Sequence, residues 1–161
     1  MNVGRLDQAQ HRAVKDAKKD LKEANKFAVE FLRKIQHQFA KAGAPELWGV
    51  DVELEQNGLG AKLITPFGLA RTIAVCSIVH GKAQIRYVIE KAVTLGNGLQ
   101  GYVKVAAVCI DSHGVVTSEV DGEKLANLND FDEQKVQKEV GEVGVSIVHA
   151  IGIEEKYLSQ A

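Results

Sequence analysis

Proline is nearly missing from this chain of 161 residues: its two copies are Pro45 and Pro66, so long regular elements are permitted almost everywhere. Cysteine is equally scarce. Cys76 and Cys109 both fall inside apolar runs and form no C-x-x-C pair, which leaves no disulfide framework and points to a reduced, cytoplasmic protein. No basic start followed by an apolar stretch and a small-residue cleavage site opens the chain, so no cleaved leader is expected. Long apolar runs are absent too. Residues 105–110 form one of the longest, and Ser146, His149 and Gly152 interrupt the C-terminal apolar segment, far short of the roughly 20 residues a membrane span needs. What remains is 45% hydrophobic and 25% charged, the composition of one globular domain over residues 1–161.

An excess of one charge is also lacking, since the net charge is -1, yet the distribution is uneven. Residues 1–42 hold ten Lys and Arg against five Asp and Glu, residues 43–118 hold six of each, and residues 119–161 hold four against ten. Opposite charge on the two ends favours their meeting, within one subunit or between two, although exposed pairs contribute only ~0.2–1 kcal/mol each.

The proline-free stretch 5–42 reads as one helix of roughly 57 Å at ~1.5 Å per residue. Val14, Ala17, Leu21, Ala24, Ala28, Phe31 and Ile35 recur at mostly alternating three- and four-residue spacings, the pattern of a heptad seam. A sheet of about six strands at ~4.8 Å spacing is only half as wide, so residues 1–25 are expected to extend beyond the core. Gly43 and Pro45 supply the stop. The period then changes to two, with Trp48, Val50, Val52 and Leu54 forming the buried side of a first strand. Asn57-Gly58 predicts a type I′ hairpin, and further strands are expected at 59–65, 69–80, 82–95, 102–111 and 115–120, those from 69 to 95 central and covered on both faces. A closing helix capped by Asn129, Asp130 or Asp132 carries the stripe Val136, Val140, Val143, Ile147 and Ile151. The predicted fold class is therefore α+β: a long N-terminal helix, an antiparallel sheet of about six strands built from hairpins, and a C-terminal helix packed on the sheet.

Motifs that suggest chemistry lack the context it needs. Gly96, Gly98 and Gly101 spell G-x-G-x-x-G, but strand follows them where a dinucleotide site requires a helix, so a plain hairpin connection is expected. Cys109, Asp111 and His113 share one strand face, yet at ~3.3 Å per residue the thiol and imidazole stand roughly 13 Å apart, far beyond nucleophile–base reach. The five histidines show no metal-ligand spacing, His149 reads as a hydrogen-bonded core or interface residue, and no G-x-S-x-G elbow occurs. No cofactor and no metal are expected, and a catalytic site is not favoured.

Association is the property the pattern predicts best. In the first half of the helix the seam is alanine-rich and buries little, so it needs a partner. Val14, Ala17, Leu21 and Ala24, flanked by Lys15 and Lys22, are the candidate contact residues on the first helix, and Gly141 and Gly144 the close-approach positions on the last. The leading expectation is a non-enzymatic, bacterial-type protein-binding module, of the immunity-protein, antitoxin or small-chaperone class, that homodimerises through its terminal helices and presents surface to another protein. The alternative is a small enzyme or small-molecule-binding domain with a pocket between sheet and helices, using Arg71, His80, Arg86, Glu90 and His113. Nucleic-acid binding comes third, through the stripe Arg12, Lys15, Lys19, Lys22, Lys26 and Arg33, which lacks interleaved aromatics and is diluted by Asp16, Asp20 and Glu23.

Overall fold

The structure is a computed structural model in which residues 3–153 are described; residues 1, 2 and 154–161 of the expected 1–161 domain, with part of its acidic C-terminal segment, lie outside the described residues. Helix α1 (Gln8–Ala40) begins on Asp7, whose carboxylate accepts from the Gln10 N–H at 2.8 Å while the Gln10 side chain accepts from the Asp7 N–H at 2.8 Å. This reciprocal cap satisfies donors that the first turn leaves unpaired. At the other end Gly43, with φ 85°, both follows α1 and caps a short helix α2 (Ala44–Trp48) that closes on Gly49, φ 63°. Pro45 sits in the first turn of α2, where its missing N–H costs nothing. Trp48, expected to open the first strand, therefore belongs to α2, and pairing begins only at Asp51.

The sheet is an antiparallel meander in sequence order: β1 (Asp51–Leu54), β2 (Ala61–Thr65), β3 (Gly68–Val79), β4 (Lys82–Thr94), β5 (Gln100–Ile110), β6 (Val115–Ser118) and β7 (Lys124–Asn127). Among the described residues seven strands replace the expected six, because β7, only four residues long, is too short to display a period. Helix α3 (Glu133–Gly152) starts on Asp132, whose carboxylate accepts from the Lys135 N–H at 3.2 Å.

The Asn57-Gly58 turn differs from the type I′ expectation. Only Gly58 has a positive φ, 70°, and its N–H donates to the Glu55 carbonyl at 2.9 Å, while the Asn57 side chain accepts from the Leu59 N–H at 2.9 Å. The asparagine thus satisfies the turn from an ordinary φ. Two successive positive φ values, the type I′ signature, occur instead at His80 (51°) and Gly81 (76°), between β3 and β4.

Both long helices lie on one face of the sheet, α1 over β4 and β1 and α3 over β7 and β5, and they touch each other. Between the layers Phe31, Leu32, Ile35 and Phe39 of α1 and Val136, Val140 and Ile147 of α3 meet Leu63, Ile85, Tyr87, Ile89 and Val108. Tyr87 stands at the centre: its ring stacks on Phe31 with centroids 6.2 Å apart, and its hydroxyl donates to the Ala28 carbonyl at 3.2 Å. Burial pushes its pKa up. Each such side chain contributes ~1.5–3 kcal/mol, so the aromatic half of α1 supplies most of the helix's apolar burial.

Strands β3 and β4 are expected from the sequence to be covered on both faces, but among the described residues no helix packs on the second face. Val88 and Cys109 are nevertheless buried there. A turn between β6 and β7 supplies Glu119, which accepts from Arg86 Nε of β4 and Lys104 Nζ of β5, both at 2.6 Å. Nearby, Arg71 pairs with Glu90 at 2.8 Å and lies 3.6 Å over the Tyr102 ring. Pairing along β3 is uneven as well. β2 accompanies only Gly68 to Thr72, and among the described residues no strand pairs with residues 73–79 on the side away from β4. Among the described residues no helix is long and apolar enough to cross a membrane.

Candidate functional site

One concave surface, walled by aromatic side chains, is built where the C-terminal half of α1, α2 and α3 converge. An open cleft of about 480 Å³ has Phe39 and Trp48 as apolar walls, Gly141 on its α3 side, and Gln38, Lys138 and Glu142 at its margins. The two glycines that bracket α2 hold Trp48 41% exposed in this cleft and leave Leu47, the preceding residue of α2, 73% exposed. A Cβ at Gly141 would make only ordinary contact with Gln38, at 3.7 Å, and Gln38 Nε2 itself donates to the Gln137 carbonyl at 3.1 Å. At one end Lys34 pairs with Glu133 at 2.7 Å, joining α1 to α3. Burial pulls the Lys34 pKa down, but its bonds to Glu133 and Glu30 outweigh that and leave it raised.

The centre of the layer between α1 and the sheet, in contrast, is filled, while open clefts lie at its margins. One of about 240 Å³ lies between α3 and the strands β5 and β7, lined by Ala106, Leu125, Val143 and Ile147, and one of about 760 Å³ lies beside α1 and β1. The space among Phe31, Leu63, Tyr87, Ile89, Val108 and Ile147 amounts to about 10 Å³, roughly one water-sized sphere. Arg71, Arg86 and Glu90, named for a pocket there, alternate onto the opposite face of the sheet, because Tyr87 and Ile89 point to the helices. His80 and His113 sit in turns at strand ends. The pocket geometry expected for the enzyme alternative is therefore not formed by these residues.

Among the expected contact residues, Val14 is 58% exposed and Lys15 and Lys22 are exposed, whereas Ala17 is half-buried, Leu21 packs against the core and Ala24 is fully buried. Ala13 is buried as well, so the chain itself covers one side of α1 as far out as its second turn. Gly141 is half-buried on the cleft, and Gly144 is buried, with a would-be Cβ 3.2 Å from the Phe39 ring. The two groups of candidates are thus not gathered into one surface. On the basic stripe, Lys26 pairs with Glu23 at 3.1 Å. The sequence reading missed Leu47 and Trp48 as a surface pair; the signal was the bracket Gly43, Pro45 and Gly49, which demands a helical turn rather than a strand.

The remaining motifs resolve into structure. Gly98, φ 78°, closes the β4–β5 hairpin, with its N–H donating to the Leu95 carbonyl at 2.9 Å. Asp111 caps the β5–β6 turn by accepting from the N–H groups of His113 (2.9 Å) and Val115 (3.0 Å). His149, expected in a core or an interface, is exposed. Among the described residues no three His, Cys, Asp or Glu side chains gather as an ion site.

Cys109 lies beneath the Arg86–Glu119–Lys104 cluster, and burial, reinforced by the Glu119 charge, pushes its pKa up. Such a thiol is a poor nucleophile. Burial also raises Glu119, but the hydrogen bonds from Lys104 and Arg86 prevail and hold it below the usual carboxylate range. The stabilisation from this cluster is therefore present above that range and is lost as the pH falls through the lowered value. In a thiol titration of the native protein, Cys76 is expected to react at once and Cys109 only on unfolding. Glu119→Ala should cost on the order of 1–3 kcal/mol and bring Cys109 into the fast phase. A second thiol already reactive in the unsubstituted protein would refute this arrangement.

The fold and the cleft define an α+β protein whose meander carries two helices on one face and leaves an open, amphipathic surface between them. No family model, curated protein or solved structure matches the chain.

Proposed function

We propose that this chain is a non-enzymatic, cytoplasmic protein-binding module, of the immunity-protein, antitoxin or small-chaperone class, that self-associates and seats a protein partner in the α1–α2–α3 cleft. The observation that carries the reading is the exposed pair Leu47 and Trp48 on a helix fixed by glycines at both ends. Tryptophan is among the residue types that dominate binding energy, and an apolar centre with polar margins is the anatomy of a protein interface. Two free cysteines suit a reducing compartment.

Affinity capture from the native lysate, followed by measurement of the recovered partner's affinity, tests the proposal. Leu47→Asp, at a position 73% exposed, is expected to leave thermal unfolding nearly unchanged, and Trp48→Ala to lower it by the packing of a half-buried ring. Both should weaken binding at least ~10-fold, the effect of losing an interface anchor. Equal binding by the wild type and both variants would discard the cleft as the partner site.

A further inference from the structure

Strand β3 runs on past its neighbour, and residues 73–79 keep a free edge on the side away from β4 among the described residues. Which backbone groups face that edge follows from the His80-Gly81 turn. A two-residue turn makes Val79 and Lys82 its closing hydrogen-bonded pair, so by the alternation of an antiparallel ladder Ser77, Val75 and Ile73 also bond to β4. The N–H and C=O groups of Ala74, Cys76 and Ile78 then point outward.

Proteins normally guard such an edge with charge, proline, a bulge or shortness. The sheet's two terminal strands follow the rule: β1 has four residues with Asp51 and Glu53 among them, and β7 has four residues, carries Lys124 and lies under α3. Residues 73–79 have no charge, no proline and an unbroken register with β4. They also expose apolar side chains on both faces, Val75 at 37% and Ile78 at 55%.

We propose that β3 of one chain pairs antiparallel with β3 of a second copy through this edge, about a twofold axis at Cys76. The proposal rests on the reading of the chain as self-associating and moves the contact from the helices to the sheet. A second copy fits because the segment is neutral and its outward residues are symmetric about Cys76. With Cys76 opposite Cys76, Ala74 of each copy meets Ile78 of the other, and three facing pairs exchange about six backbone hydrogen bonds. All seven free residues are then paired, and a twofold contact closes on itself instead of growing into a fibre.

The full chain, its mass followed by light scattering across a dilution series, is expected to behave as a dimer. Because Cys109 is buried, mild oxidation reads Cys76 alone. Facing hydrogen-bonded residues lie ~5.5 Å apart at Cα, within disulfide reach, so a covalent dimer should form from the wild type and not from Cys76→Ser. Ile78→Lys, at an exposed site, should raise the dimer dissociation constant at least ~10-fold with an unchanged circular dichroism spectrum. A monomer at every concentration would overturn both this proposal and the self-association reading. A dimer that survives Ile78→Lys but is lost in Val14→Asp would overturn the edge alone and return the contact to the helices. Polydisperse assembly, or amides of Ala74, Cys76 and Ile78 protected from exchange in a monomer, would equally overturn the twofold pairing.

Discussion

Phe31→Ala is expected to lower stability by about 3–5 kcal/mol, the usual cost of deleting a buried aromatic side chain. Phe31 is 1% exposed, stacks on Tyr87, and stands at the filled centre of its layer, where the residual space is already only about 10 Å³. The cavity left behind has little room to close, because α1 is held to β4 by the Tyr87 hydroxyl on the Ala28 carbonyl and to β1 by Gln36 Nε2 on the Val52 carbonyl at 2.9 Å. Domains of this size retain roughly 5–15 kcal/mol in total, so about a fifth or more of the stability is at stake. Urea unfolding checks the result: the midpoint should fall with an unchanged slope. A loss under about 1 kcal/mol would mean that the core is not centred on this contact.

The second large effect concerns Gly114, in the turn between β5 and β6. Its φ is 81°, and a Cβ there would lie 2.9 Å from two carbons of the Phe27 ring. Its carbonyl also accepts from the Leu128 N–H at 2.8 Å, so the turn cannot shift away freely. Gly114→Ala therefore combines the strain of a left-handed residue, ~1–3 kcal/mol, with overpacking of similar size. About 3 kcal/mol is expected from thermal unfolding. Gly98→Ala separates the two causes, since Gly98 has φ 78° but nothing within 4 Å of its would-be Cβ. It should show the strain alone, about 1 kcal/mol, and equal losses at the two sites would refute the role assigned to Phe27.

The parts of the fold that could be read in advance are those governed by neighbours in the chain. The seam of α1, its stop near Gly43, the alternation of β2 to β5 and the stripe of α3 all express local periodicity and local φ preferences. The errors arise where short segments compete. Trp48 continues the alternation of Val50 and Val52, yet Pro45 and the flanking glycines favour a helical turn, and only packing beside α1 and α3 decides between them. β7 offers four residues and no period, so its pairing with β6 depends on the edge it meets. The candidate site was the least legible part, because its walls come from residues about a hundred positions apart, Gln38 and Phe39 on one side and Gly141 and Val145 on the other.

By itself the sequence determined the α+β class, the long helix, the hairpin order and the chain's lack of a disulfide framework, since periodicity, caps and composition act over a few residues. The tertiary structure alone decided that both helices share one sheet face, that Arg71, Arg86 and Glu90 lie on the other, and that Leu21 and Ala24 serve the chain's own core. It alone decided too that β3 outruns β2 and, among the described residues, leaves an uncharged edge open. The physical reason is the same throughout: the length of one strand and the face of one helix are local properties, whereas what lies beside them depends on contacts between distant segments.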